Sequence, residues 1–356
     1  MEKQVYFSIV MPVYGTEAHI KKAVDSVLAQ TERDFELLLI DDASPDKCPL
    51  ICDEYANAHE NVRVIHHSEN KGLSATRNTG ISATKGQYVT FMDSDDHIDR
   101  DLLEKVKASL DENPADCVVF GITEEYCDKS GEVKKTYRIT YGEEKRFASA
   151  EELRPAVIEL EQKTLYGYSA NKFYRTDKIK ESSLSFEKVT LIEDILFNVR
   201  FFDNIKSLNI TDFAPYHYMK RIDGSLTNKF VKDYYVLHAR RISLILEQYR
   251  RWGILTDDVK RILANLYSRY IYSALQRNCD PRANMNGKAR KAFLRDVFDG
   301  ALFKELSPHI KISGVAGVLY GALKRKSTLS CLSFGRIIYI IKDKLPIIFA
   351  AAKQKR

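Results

Sequence analysis

The first hundred residues fall into apolar blocks separated by segments of a different period. Residues 7–14 (FSIVMPVY) are an apolar run closed by a proline and a tyrosine, as expected of a buried strand meeting a loop. Over residues 17–30 the period changes, and Ile20, Val24, Val27 and Leu28 return on one helical face. A second apolar run, residues 35–40, ends at Asp41-Asp42-Ala43-Ser44-Pro45-Asp46. Residues 47–59 read as a helix, 62–65 as a short third strand, 74–84 as a helix and 88–92 as a fourth strand. Strands that alternate with helices predict an α/β fold with a mostly parallel, doubly wound, Rossmann-like sheet.

Sheets of that kind bind ligands beyond the C-terminal ends of their strands. Two such ends are acidic here: Asp41-Asp42, and the run Asp93-Ser94-Asp95-Asp96 that follows Phe91-Met92. In extended backbone, Asp93 and Asp95 would face the same side. Carboxylates held together repel unless a cation lies between them, and Mg²⁺ or Mn²⁺ bridging to a diphosphate fits that place. The plainer alternative is an acidic turn that caps the next helix.

Several segments together resemble one family. They are Ser8-Ile9-Val10-Met11-Pro12-Val13-Tyr14; Ile40-Asp41-Asp42-Ala43-Ser44; Asn70-Lys71-Gly72-Leu73-Ser74-Ala75-Thr76-Arg77-Asn78-Thr79-Gly80; and Gly86-Gln87-Tyr88-Val89-Thr90-Phe91-Met92-Asp93-Ser94-Asp95-Asp96. In order and spacing they are similar to family 2 of the inverting glycosyltransferases, which have the GT-A fold. Ile192-Glu193-Asp194-Ile195-Leu196-Phe197-Asn198 resembles that family's later Glu-Asp motif. The likeness is specific over residues 7–100 and extends to about residue 225. Gly15, Ala43 and Thr76 depart from the usual Asn, Gly and Ala, which bears on loop geometry and touches no charged role.

The resemblance implies that Asp42 reads the imide N–H of uracil, a donor that cytosine lacks; helix capping is the other role open to Asp41-Asp42. Pro12, Val13 and Tyr14 would wall the base pocket. Lys71-Gly72, at a helix N-terminus, would meet an anion or a ribose, and Arg77 would pair with a phosphate or with the acidic loop. Asp93 and Ser94 join this nucleotide-sugar site, with Asp95 and Asp93 as metal ligands. Inverting transfer needs one base to deprotonate the acceptor hydroxyl. By resemblance that base is Asp194, with Glu193 orienting or capping; acids in the first helical turn are also favoured for structural reasons alone. Tyr168-Ser169-Ala170-Asn171-Lys172-Phe173-Tyr174-Arg175 resembles the family's Asn-Lys-aromatic strand and would line the acceptor side, with a structural role for Lys172 equally open. In residues 215–226, His217 and Arg221 could close over the diphosphate as a lid, or the segment could be an ordinary edge strand and turn.

Gln248-Tyr249-Arg250-Arg251-Trp252 fits a pattern of processive polysaccharide synthases, but the surrounding helical periodicity reads more simply as a helix anchored by Trp252. The six cysteines show no Cys-x-x-Cys pair, so free thiols are expected rather than zinc or disulfides. No signal peptide is evident and no Gly-rich phosphate loop occurs. The chain of 356 residues reads as a catalytic domain over 1–228 and a helical region over 229–356. Residues 280–356 carry sixteen Lys or Arg against five Asp or Glu, leaving residues 1–279 net negative. Residues 321–356 interleave basic clusters with apolar runs too short to span a bilayer. That suits peripheral contact with an anionic membrane, or a basic helix packed on the domain; no nucleic-acid module is recognisable.

The sequence therefore predicts a metal-dependent inverting glycosyltransferase. It would use a nucleotide-sugar donor, UDP-linked, and a glycan or lipid-linked acceptor, at the cytoplasmic face of the cell membrane. A sugar-1-phosphate nucleotidyltransferase would want a Gly-rich phosphate loop after the first strand, which residues 12–17 do not supply. A non-catalytic nucleotide-binding module would not need Asp42, Asp93, Asp95 and Asp194 all intact.

Overall fold

The computed structural model describes residues 5–128, 130–221, 230–312, 314 and 317–344. The chain divides into two compact units, Met1–Asn228 and Lys229–Arg356.

The first unit begins with β1 (Phe7–Val13), α1 (Ile20–Leu28), β2 (Phe35–Asp41), α2 (Cys48–Ala58), β3 (Val62–His66), α3 (Leu73–Ala83) and β4 (Tyr88–Phe91). These strands stand side by side in the order β3-β2-β1-β4, all parallel. β1 and β2 are buried at every position, which is why they read as continuous apolar runs. The chain steps from β1 outward to β3, and α3 then returns it to the far side of β1. The topological switch point thus lies between β1 and β4.

Pro12 does not end β1, as the sequence suggested; it pairs inside it with Ile40 of β2. On the other side β4 pairs only as far as Val10, whose carbonyl accepts from the Met92 amide. By alternation Pro12 faces that same side, beyond the end of β4, so its missing N–H deprives no ladder.

Next come β5 (His97–Ile98), α4 (Leu102–Glu112), β6 (Cys117–Val119), β7 (Ile122–Cys127), β8 (Val133–Ile139), β9 (Lys145–Phe147), α5 (Ala150–Gln162), β10 (Lys172–Arg175), α6 (Thr176–Glu181), α7 (Glu193–Asp203), β11 (Leu208–Ile210) and β12 (Tyr216–Arg221). The main sheet continues past β4 as β10-β6-β11-β9, and here the pairings are mixed: β10 runs antiparallel to both β4 and β6. A second sheet, β5-β12-β7-β8, carries the short strand that follows the acidic turn.

The second unit is helical: α8 (Tyr234–Arg251), α9 (Asp257–Arg277), α10 (Gly287–Asp299), α11 (Ala301–Leu306), α12 (Gly317–Lys324) and α13 (Thr328–Lys344). α9 packs against α8 and α13. Gln248 and Tyr249 are buried in α8, and Trp252, at its C-terminal cap, is only half-buried. The anchor of that helix is therefore Tyr249, with the Trp252 ring tilted against it at 60°, 5.2 Å between centroids. On α13, Gly335 lies against Leu275 of α9 so closely that a Cβ would fall 2.8 Å from the Leu275 Cβ. Among the described residues no helix is long and apolar enough to cross a membrane, and all six cysteines are free.

Candidate functional site

The segment after β4 is a turn, closed by the Asp96 amide donating to the Asp93 carbonyl at 3.2 Å. The same-side geometry expected of extended backbone is therefore absent, and the three carboxyls go to different partners. Asp93 Oδ1 accepts from Arg77 at 3.2 Å. Asp95 Oδ2 accepts from Arg221 at 2.7 Å, and a second Arg221 N–H reaches the Asp95 carbonyl. Asp96 is buried and accepts from the Tyr216 hydroxyl at 2.6 Å and the Met219 amide at 2.8 Å. It ties the acidic turn to β12. Ser94 is buried, its hydroxyl 3.0 Å from that of Thr16.

Arg77 is the centre of the site. It projects from α3, is 2% exposed, and lies over the Phe186 ring. Besides Asp93 it donates to Asp194 Oδ1 at 2.6 Å and Glu193 Oε1 at 3.5 Å. Of the two partners the sequence allowed it, the structure supplies the acidic ones rather than leaving it open to a phosphate. One guanidinium fork joins the turn after β4 to the start of α7, whose Glu193 lies 116 residues beyond Arg77 in the chain. Its Nε is buried without a partner.

Asp194 also accepts from the Ser169 amide at 3.1 Å through Oδ2. Each carboxylate oxygen offers two acceptor positions, and the side chain is 20% exposed, so capacity for an incoming hydroxyl remains. Glu193 differs from it. Burial and the neighbouring Asp194 charge push its carboxyl up to about 7, against the opposing pull of Arg77. Burial also raises Asp93, Asp95 and Asp96, aided for Asp93 and Asp96 by the other acids of the turn. Four carboxyls thus converge on two guanidiniums, and a fifth, Asp96, is buried in the same turn. An all-oxygen donor set with excess negative charge fits a hard divalent cation such as Mg²⁺ or Mn²⁺.

The other acidic strand end is occupied differently. Asp42 is 3% exposed. Its oxygens accept from His67 Nδ1 at 2.7 Å, the Lys71 amide at 2.9 Å and the Gly72 amide at 2.8 Å. Burial, which would raise its pKa, is outweighed by these bonds, and the pKa falls below the usual carboxylate range. The anion met by Lys71-Gly72 is therefore the Asp42 carboxylate, because Gly72, at φ +88°, turns its amide inward. Ala43 holds φ +55° at the position where the resembling family carries glycine. Pro12 and Val13 are buried, and Tyr14, 51% exposed, stands at the open end of β1.

Two expected acceptor or lid residues are placed elsewhere. The Lys172 ammonium is fully buried and donates to the Leu165 carbonyl (2.7 Å), the Tyr168 carbonyl (2.6 Å) and Asn171 Oδ1 (2.8 Å). It braces the segment that presents Ser169 rather than lining an acceptor groove. His217 is fixed between Glu125 and Asp99 in the second sheet, so it does not serve as a lid over the turn. Arg221 does meet Asp95, while residues 222–226 of the expected lid lie outside the described residues. Sequence reasoning missed His67, Ser169 and Tyr216. His67 meets its partner only through long-range pairing, 25 residues away in the chain.

The switch point between β1 and β4, the acidic turn beyond β4 and the arginine-bridged acid pair at the start of α7 are the arrangement of the GT-A fold class. Residues 8–181 match the family description "Glycosyl transferase family 2". EpsH of Bacillus subtilis strain 168, named as a glycosyltransferase, is 30% identical over 68% of this chain and 72% of its own length. The chain belongs to glycosyl transferase family 2. EpsJ of the same organism, an uncharacterized glycosyltransferase, is also 30% identical, over 62% of each protein. TarS of Staphylococcus aureus, a poly(ribitol-phosphate) β-N-acetylglucosaminyltransferase, is 26% identical over 72% of this chain but only 44% of its own. The chain thus spans less than two thirds of EpsJ and under half of TarS. The crystal structure of S. aureus TarS 1–349 with UDP-GlcNAc has the same fold, with a TM-score of 0.65, 20% identity, and coverage of 93% of this chain and 90% of that one.

Proposed function

We propose that this chain transfers a sugar from a UDP-linked donor to a glycan acceptor with inversion at the anomeric carbon. The observation that carries the reading is the Asp194 carboxylate, oriented by Arg77 and the Ser169 amide and coupled through Arg77 to the acidic turn. In this reading Asp194 takes the proton from the acceptor hydroxyl as that oxygen attacks. Arg77 holds the base in place and carries the charge balance between donor and acceptor sides. Asp95 and Asp93 would hold Mn²⁺ or Mg²⁺ through the oxygens that the arginines leave. When bound, the cation supplies charge neutralisation for the departing diphosphate. Asp42 fixes the 67–72 loop, and its remaining acceptor position suits the uracil imide. Support for UDP comes from the TarS complex. Support for a cell-surface glycan acceptor comes from TarS and from GgaB, a minor teichoic acid biosynthesis protein of B. subtilis.

Free UDP released across a panel of UDP-sugars with Mn²⁺ tests the reaction. No release from any donor, with or without glycan acceptors, would overturn it. Asp95→Asn should greatly weaken UDP–Mn²⁺ binding by calorimetry; unchanged affinity removes Asp95 as a ligand.

We also propose peripheral contact with an anionic membrane through residues 321–356, at the cytoplasmic face; residues 345–356 lie outside the described residues. Leu329, Ile337 and Ile340 are exposed on one face of α13 beside Arg336, a pattern that combines insertion with charge attraction. Replacing all three by glutamine should release the protein from anionic vesicles at low salt. Equal co-sedimentation of the two proteins refutes the contact.

A further inference from the structure

Outside the acidic turn, the second sheet gathers a different set of donors. β5 and β12 pair with His97 directly opposite His217, and their rings stack at 4.3 Å between centroids, 18° apart. Glu125 of β7 reaches the same point: its Oε1 is 2.7 Å from His217 Nδ1. One ligand atom from each of His97, Glu125 and His217 lies within 4.8 Å of the others. The second ring nitrogen of His217, Nε2, is 3.0 Å from Asp99 Oδ1. His97 Nδ1 is buried and has no hydrogen-bond partner. A buried ring nitrogen without a partner calls for an explanation, and a bound ion is one of the few available.

We propose that His97, His217 and Glu125 form a binding site for a borderline divalent transition metal, zinc being the expected occupant, separate from the acidic turn. Two imidazoles and one carboxylate leave a fourth position to water and suit Zn²⁺; an all-oxygen turn suits Mg²⁺ or Mn²⁺. Zinc–ligand bonds of about 2.0–2.2 Å require the Glu125–His217 pair to open slightly and the His97 ring to turn out of its stack on His217, since an imidazole binds a metal in its own ring plane. His217 would bind through Nδ1 and keep donating from Nε2 to Asp99, the carboxylate–histidine–metal arrangement that fixes a ligand's tautomer. The site joins three strands. One of them, β5, starts two residues after Asp95, and another, β12, ends in the arginine that holds Asp95. Its place is thus to clamp the second sheet behind the acidic turn.

The test is zinc titration of the full chain against a chromophoric chelator, with metal content measured after dialysis. The expected result is one zinc per chain, retained in Asp95→Asn, which disables the acidic turn. His97→Ala and the near-isosteric Glu125→Gln should each lower affinity at least 100-fold, and Asp99→Asn about 10–100-fold. Thermal unfolding should shift upward with zinc in the parent and not in Glu125→Gln. The proposal is overturned if the parent chain takes no zinc from the chelator, in which case His217 is an ion-pair hub between two carboxylates. It is equally overturned if His97→Ala and Glu125→Gln bind zinc as the parent does, or if Asp95→Asn abolishes binding.

Discussion

Replacing Arg77 by methionine removes a guanidinium that is 2% exposed and donates to Asp93, Glu193 and Asp194. The methionine fills much of the volume, so the loss is chiefly one of charge. Breaking a buried ion pair by deleting one partner costs about 3–5 kcal/mol, because the stranded charges have no water to return to. The loss should depend on pH, with a definite sign. Without the cation the folded-state pKa values of Asp93 and Glu193, already raised by burial, rise further above their unfolded values, so the variant is relatively most stable below about pH 4, where these two acids are largely protonated in both states. The deficit then grows as pH rises through the raised folded values, and Glu193 already stands at about 7 in the parent. Arg77→Lys keeps the charge but loses the fork across Asp93 and Asp194, and should cost about 1.5–3 kcal/mol. Calorimetric unfolding at pH 5 and pH 8 reads these differences. Tryptophan fluorescence does not, since the chain's one tryptophan, Trp252, is in the helical unit. A methionine variant within about 1 kcal/mol of the parent at pH 8, or one with equal deficits at the two pH values, refutes Arg77 as the charge centre of the site.

Asp194→Asn preserves shape and removes the proton acceptor, so sugar transfer should fall by roughly 10²–10⁴-fold with donor affinity nearly unchanged; transfer within tenfold of the parent shifts the role to Glu193. Asp42→Ala should weaken UDP binding and also loosen the 67–72 loop, seen as faster amide exchange at Lys71 and Gly72. Equal binding of UDP and CDP by the unaltered protein would refute the uracil pairing. Glu193, raised from 4.5 to about 7 in the fold, destabilises the protein progressively as pH rises between those values, by on the order of 3 kcal/mol. Glu193→Gln should flatten that part of the stability profile, and an unchanged slope in metal-free buffer removes the assignment.

What the sequence displayed and what it hid divide along a physical line. β1, β2 and β4 were readable because each is buried along its whole length, and α1 because it buries one apolar face; burial writes a local period. β3 is buried only at Val62 and α3 buries Ser74, Thr76 and Arg77, so their signals are weaker. β5 is two residues long, and β12 pairs in parallel with a strand 94 residues before it in the chain; neither leaves a period to detect. Among the site residues, the acids were visible as types and the partners were not. Arg77 had two plausible anions, and only the approach of α7 decided between them. Lys172 looked like a reagent because lysine seldom goes inside, yet three oxygens satisfy its three protons. The C-terminal segment posed a choice between packing and a free basic surface. α13 is packed along one face, with Gly335 on Leu275, and exposes Leu329, Ile337 and Ile340 on another. Cutting the chain after residue 320 would therefore remove a helix that supports α9, and face substitutions are the cleaner probe.

Pro12 has a bearing on self-association. β1 runs three residues, about 10 Å, beyond the last residue it pairs with β4, so the middle of the main sheet contains a notch one strand wide. A bare strand edge in such a notch would be a template for any extended segment of another copy, the usual seed of edge-to-edge aggregation. Proline on that side withholds the N–H an intruding strand would need, and leaves the opening to ligands that recognise shape and charge instead of backbone.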